Sequence, residues 1–227
     1  MFVDKIDNLL YYFDISGGKY ACIKKIHTMF NHKLEDKISQ INIPSEVHYE
    51  NKTYIVNSIS GYTTEEKVYT PVTTDRRRKD YGREICTGTR TREHFVMSGI
   101  NEWLHWDAEI ILPETITEIG PFVVCGSYGR FVLNDGLRII RSGAFRTYRQ
   151  YKMTIPSSVK VIECEAFIDF SNYTHIKELI VDNEPGSVKI HERAFVYYSE
   201  FAGKRSVEIV YLRPKTSWFS KLIKKLK

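Results

Sequence analysis

Three stretches decide the fold: Leu112-Pro-Glu-Thr-Ile116-Thr-Glu-Ile119-Gly-Pro-Phe-Val123-Val124, Leu133-Asn-Asp-Gly-Leu137-Arg-Ile-Ile140-Arg-Ser-Gly-Ala144-Phe145 and Ile155-Pro-Ser-Ser-Val159-Lys-Val-Ile162-Glu-Cys-Glu-Ala166-Phe167. They align without gaps, and apolar residues fall at the same offsets in each, with starts 21 and then 22 residues apart. A fixed apolar skeleton recurring every ~20–29 residues marks a leucine-rich type of solenoid. One such repeat cannot bury its own apolar face, whereas stacked repeats share a continuous core. The Ala-Phe pair that closes the second and third copies predicts an interior plug, with Ala where coils approach closely and Phe filling the space between them. Phe145, Phe167 and Phe195 are therefore expected in the core.

Looser copies flank these three. A later one ends at Ala194-Phe195 after Ile190, with extra residues around Pro185-Gly186. An earlier one opens at Ile43-Pro-Ser-Glu-Val47 and contains a predicted hairpin, with Asn51-Lys52 as the turn between Val47–Tyr49 and Tyr54–Val56. It resumes at Ile59, where the spacing assigns Thr63-Thr64 to the Ala-Phe slot.

These strings resemble the BspA-like leucine-rich repeats (the Treponema pallidum type), whose recurring phrase is roughly Ile-Pro-x-x-Val-x-x-Ile-Gly-x-x-Ala-Phe. "LLYYFDISGGKYACI" is similar to the short β-hairpin that often precedes such repeats, and "VEIVYLRPKTSW" to the strand that often closes them. The resemblance covers 41–64 and 110–212, and 9–40 more loosely. It implies a bacterial, mainly β solenoid, non-enzymatic and built to bind other proteins, often as a surface antigen or adhesin. The expected organisation is an N-terminal hairpin cap over 1–40, the solenoid over 41–212 and a basic amphipathic tail over 213–227.

Residues 65–109 break the pattern and read as degenerate repeats or an insertion. They hold Arg76, Arg77, Arg78 and Lys79, followed by Arg83, Arg90 and Arg92, in a segment that begins as a loop after Pro71, Thr73 and Thr74. This is a candidate anion site, with Tyr81 and Phe95 nearby for base stacking if the anion is a nucleic acid. In the tail, Trp218, Phe219, Leu222, Ile223 and Leu226 fall on one face of a predicted helix, with lysines on the other. Eleven residues are too few for an isolated helix, so the stripe needs a cover. The open end of the solenoid, an anionic membrane or a partner groove would each serve.

Net charge is +5, but six basic residues and no acids lie between Arg213 and Lys227, which leaves the body near neutral. That argues against broad electrostatic binding to nucleic acid. Hydrophobic residues make up 42%, too many for a disordered chain. Cys22, Cys86, Cys125 and Cys164 lie far apart and form no CxxC pair, so neither a zinc ribbon nor a disulfide framework is expected. Met1–Asn8 has neither a basic n-region nor an apolar h-region, and the chain is expected inside the cell with reduced thiols, or at the surface if a signal peptide was removed.

Catalytic motifs are missing: there is no GxSxG elbow, no GxGxxG fingerprint and no Walker loop. Cys22, His27 and His32 have the wrong spacing for a shared metal. His94, His105 and Asp107, with Glu93 and Glu102, fix no common face for acid–base chemistry. No cofactor is expected; neither Asn51 nor Asn172 reads as a sugar acceptor, and Asn51 is better explained as a turn residue. A solenoid repeats its core and varies its surface, so the tyrosines after the core strings, Tyr148, Tyr151, Tyr173, Tyr197 and Tyr198, are candidate partner contacts.

Overall fold

The computed structural model describes residues 1–28, 37–126, 129–170, 176–196 and 207–213. In chain order its strands are β1 (Phe2–Ile6), β2 (Leu9–Gly17), β3 (Tyr20–Thr28), β4 (Ile38–Asn42), β5 (Glu46–Tyr49), β6 (Lys52–Ile59), β7 (Tyr62–Pro71), β8 (Glu84–His94), β9 (Leu104–Ile111), β10 (Glu118–Ile119), β11 (Val124–Cys125), β12 (Arg130–Val132), β13 (Ile139–Ile140), β14 (Phe145–Arg146), β15 (Lys152–Ile155), β16 (Val161–Ile162), β17 (Glu178–Val181), β18 (Lys189–Ile190) and β19 (Glu208–Tyr211). Single turns of 3₁₀ helix occur at Val96–Ser98 and Asn101–Trp103. No helix among the described residues is long and apolar enough to cross a membrane. The expected C-terminal helix, with Trp218, Phe219, Leu222, Ile223 and Leu226, lies outside the described residues.

The repeats stack as parallel ladders. On one side β3, β6, β10, β13, β16 and β18 pair in that order, each parallel to the next. Register sets Ile23, Ile59, Ile119, Ile140, Ile162 and Ile190 in one file, the eighth position of the skeleton read from sequence. Isoleucine suits this place because its branched side chain packs well on a pleated surface. β1 and β2 extend the ladder antiparallel beyond β3, and β5 flanks β6. The second side carries β4–β9–β12 and then β15–β17–β19, again parallel.

Between the two sides lies the core. Ala144, Ala166 and Ala194 are fully buried, and the rings of Phe145, Phe167 and Phe195 stack at 5.2 and 5.1 Å between centroids with interplanar angles of 8° and 9°. Three coils enter this slot, at Val123-Val124, Ala144-Phe145 and Ala166-Phe167, through a left-handed residue: Phe122 (φ 56°), Gly143 (φ 67°) and Glu165 (φ 58°). Only the second of these is the residue type that adopts such a backbone freely.

Two expectations need correction. The hairpin turn is Glu50-Asn51, not Asn51-Lys52, because Tyr49 pairs with Lys52. Both turn residues have positive φ (48° and 61°), as the two-residue turn that matches strand twist requires. Thr63-Thr64 also does not fill the Ala-Phe slot of its coil. That slot belongs to Val96-Met97, both fully buried. Their amides donate to the carbonyls of Phe122 and Val123, just as the amides of Val124 and Phe145 donate to Ala144 and Ala166 in later coils. Residues 62–94 are thus spliced between Ile59 and the end of its coil as a long antiparallel hairpin, β7 against β8.

Candidate functional site

Strand β9 carries an irregularity that shapes the surface. Its register against β4 steps from Ile38↔Leu104 to Gln40↔Glu109, so residues 105–108 oppose a single residue of β4. Such a bulge re-aims side chains. Here Trp106 and Asp107 both face solvent, breaking the strand's alternation, and Trp106 is 69% exposed. His105 Nδ1 and Asp107 Oδ1 join across the bulge, and the two rings of His105 and Trp106 lie 5.8 Å apart. Gln150 Nε2 donates to the Trp106 carbonyl at 3.5 Å, so the chain that leads into Tyr151 runs beside the bulge. Tyr151 is 54% exposed, with the Lys177 ammonium 4.9 Å from its ring centre.

Of the candidate contact tyrosines, Tyr151 is exposed and Tyr148 is not. It is 4% exposed, its ring packs against Phe131 and Phe145, and its hydroxyl accepts the Phe131 amide at 3.0 Å. Three residues after Phe145 the chain is still turning into the core, so Tyr148 is a core residue rather than a partner contact. Burial pushes its phenol far above the usual range. The bond also marks a break in the second ladder: β12 and β15 are not paired, and a recess of about 490 Å³ lined by Arg130, Lys152, Asp135 and Asp182 lies between them. Tyr173, Tyr197 and Tyr198 lie outside the described residues.

Arg76, Arg77, Arg78 and Lys79 lie at the far end of the β7–β8 hairpin and are all exposed. Near the base the arginines are engaged: Arg90 and Arg92 both bind Glu66, whose carboxyl is held below its ordinary range first by the Arg92 hydrogen bond and also by Arg90. Tyr62 stacks on His94 at 4.5 Å, and Thr64 Oγ1 meets His94 Nε2 at 2.8 Å. Arg146 pairs with Glu93 and lies against the Phe170 ring at 4.4 Å.

His94 answers to Thr64 and Tyr62, His105 to Asp107, and Glu93 to Arg146. Among the described residues no three His, Cys, Asp or Glu side chains gather as metal ligands. His32 lies outside the described residues. None of the four cysteines is in a disulfide. Trp106 is the surface residue that sequence reasoning missed. Nothing in the pattern marked it: Leu104, Trp106, Ala108 and Ile110 alternate with His105, Asp107 and Glu109, which assigns Trp106 to the buried side.

No protein-family model and no curated protein matches the chain. Solved structures do resemble it. A leucine-rich repeat protein from Bacteroides ovatus is 22% identical with a TM-score of 0.48, over 92% of this chain and 41% of its own. A leucine rich cell surface protein from Faecalibacterium prausnitzii is 15% identical with a TM-score of 0.39, over 93% and 55%. The pneumococcal vaccine antigen PcpA is 14% identical with a TM-score of 0.43, over 93% and 49%. The chain thus spans about half the length of the structures it resembles. The fold assignment rests on the molecule's own parallel ladders, isoleucine file and phenylalanine stack: the chain is a mainly β leucine-rich-repeat solenoid.

Proposed function

We propose that the chain is a non-enzymatic protein–protein interaction module that meets its partner through the face carrying Trp106 and Tyr151. The observation that supports this reading is the bulge in β9, which holds a large indole 69% exposed on the sheet. Trp and Tyr dominate the energetics of protein interfaces because they bury much area at low cost in side-chain entropy. The adjoining Lys177 and the His105–Asp107 pair give this apolar centre a polar rim, the usual anatomy of an interface. Photo-cross-linking residues placed at 106 and at 151, in the cells that make the protein, test the idea. Both are expected to yield the same discrete protein adduct, while a control at the exposed Val3 yields none. Absence of an adduct at 106 and 151, or equal labelling at Val3, overturns it.

A further inference from the structure

The hairpin of residues 62–94 is a structural oddity. Among the described residues β7 and β8 pair only with each other, so both outer edges of this two-stranded sheet are open. Every residue of β8 from Glu84 to Glu93 is exposed, and no apolar face of the arm is buried beyond its base. A two-stranded sheet on its own is marginal in water and gains most from a third strand. An open edge offers a row of unpaired N–H and C=O groups to another chain.

Charge says which chain. Each described arginine of the solenoid and of the hairpin base has a hydrogen-bond, ion-pair or other polar partner: Arg90 and Arg92 with Glu66, Arg130 with Glu109, Arg138 with the Ser158 carbonyl, Arg141 with Glu118 and Glu163, Arg146 with Glu93, Arg193 with Glu165, Arg213 with Asp182. Arg149 is also engaged. At the far end of the hairpin only Arg77 has an ion partner, Asp75, whereas the side chains of Arg76, Arg78, Lys79 and Arg83 meet no acid among the described residues. Five basic residues against the three acids Asp75, Asp80 and Glu84 thus leave the tip of this open-edged arm net positive. The same end exposes Tyr69, Val72, Tyr81 and Ile85, each about half accessible, around a recess of about 400 Å³ lined in part by Thr73, Thr74, Arg76 and Tyr81.

We propose that this arm captures an acidic, extended segment of a partner protein, which adds as a strand to the open edge of the hairpin while its carboxylates meet Arg76, Arg78, Lys79 and Arg83. A second copy of the chain does not fit, because two tips would bring like charges together. Nucleic acid has no backbone donors and acceptors in the register of a strand edge, and four free cations at the end of an arm are fewer than a charge-driven groove supplies. The charges on the edge keep the arm from pairing with its own kind, a common protection of exposed strands, and they select for acid in a partner. Main-chain bonds would supply affinity and the apolar quartet would seat alternate side chains, as in strand addition generally.

The site shares no residue with the Trp106 face, so the two readings fail separately. The test titrates the full chain with a synthetic peptide of about ten residues, the length of a long strand, alternating Glu with Thr and Val. Binding at low salt is expected, weakening as salt screens the contacts and accompanied by slowed amide exchange along β7 or β8. The triple variant Arg76→Glu, Arg78→Glu, Lys79→Glu should bind at least ~10-fold more weakly. The same peptide N-methylated at alternate residues should also lose binding, because it keeps the charge and cannot pair as a strand. Trp106→Ala should bind the peptide as the parent does. Equal binding of the methylated peptide, unchanged binding by the triple variant, or tighter binding of a single-stranded oligonucleotide or of phosphatidylserine vesicles than of the peptide would each overturn the proposal.

Discussion

Tyr148 occupies the point where a strand-to-strand bond would otherwise run. β12 pairs with β9 on one side, and on the other its Phe131 amide finds the Tyr148 hydroxyl instead of β15. Replacing Tyr148 with Phe keeps the ring among Phe131 and Phe145 but strands a buried donor, which should cost about 1–3 kcal/mol in chemical denaturation. A loss within error of zero would mean that the amide has another acceptor. The same hydroxyl should make the protein sensitive to alkali. Burial raises the phenol pKa of Tyr148, and burial followed by the Asp7 charge raises that of Tyr11. The folded state therefore holds these protons more tightly than the unfolded chain. Their contribution is fully present below the ordinary tyrosine pKa of about 10 and is lost as pH rises above it, at up to about 1.4 kcal/mol per pH unit for each group. Tyr148→Phe should flatten the fall in stability above pH ~10, as followed by denaturation at stepped pH; an unchanged slope would remove Tyr148 from this account.

The β7–β8 hairpin behaves as an appendage whose base is fixed and whose length is free. Its two strands are closed at the base by the Tyr62–His94 stack and the Thr64–His94 bond, and the Arg146–Glu93 pair ties that base to the solenoid, while the side chains of its far half are exposed. Joining Thr64 to Arg92 through a short Gly-rich turn should leave the denaturation midpoint unchanged within about 0.5 kcal/mol, as for surface changes generally. A loss above ~2 kcal/mol would show that the arm is part of the core. This element also marks where reading from sequence ran out. The skeleton at 112–124, 133–145 and 155–167 was legible because each position answers to the same neighbour in the next coil, and its residues are buried in the register that the spacing gives, Leu133 excepted at half-buried. Thr63-Thr64 has the right distance from Ile59 for the core slot, but distance along the chain is not sufficient. Their strand pairs antiparallel with Glu93 and Arg92, and the chain returns to the core only at Val96-Met97. Tyr148 was misplaced for a related reason: its neighbours Arg146, Thr147 and Arg149 are polar, so no pattern announced a core residue. Trp106 was hidden because a bulge is a property of register, which a single strand does not display.

Taken whole, the molecule is nearly one-dimensional, since each coil touches chiefly the coils beside it. Arg141 shows the scale of that coupling. It donates to Glu118 one coil back and to Glu163 one coil ahead, both at the partly exposed surface where ion pairs contribute little each. The stacked rings carry more. Phe145 is fully buried against Phe131, Tyr148 and Phe167, whereas Phe195 is half-buried and has Phe167 as its described ring partner. In a stack held by nearest neighbours, damage at the end should stay local, while damage in the middle should cut the array in two. Phe145→Ala should therefore cost about 3–5 kcal/mol, the usual range for a buried Phe, and should speed amide exchange throughout β10, β13 and β16. Phe195→Ala should cost distinctly less and speed exchange chiefly in β18, leaving the amides of β10 and β13 as protected as in the parent. Native-state hydrogen exchange on the two variants measures both. If Phe195→Ala deprotects β10 as much as β18, the coils unfold as a single cooperative block, and the stack is not the chain of neighbour contacts that its ladders describe.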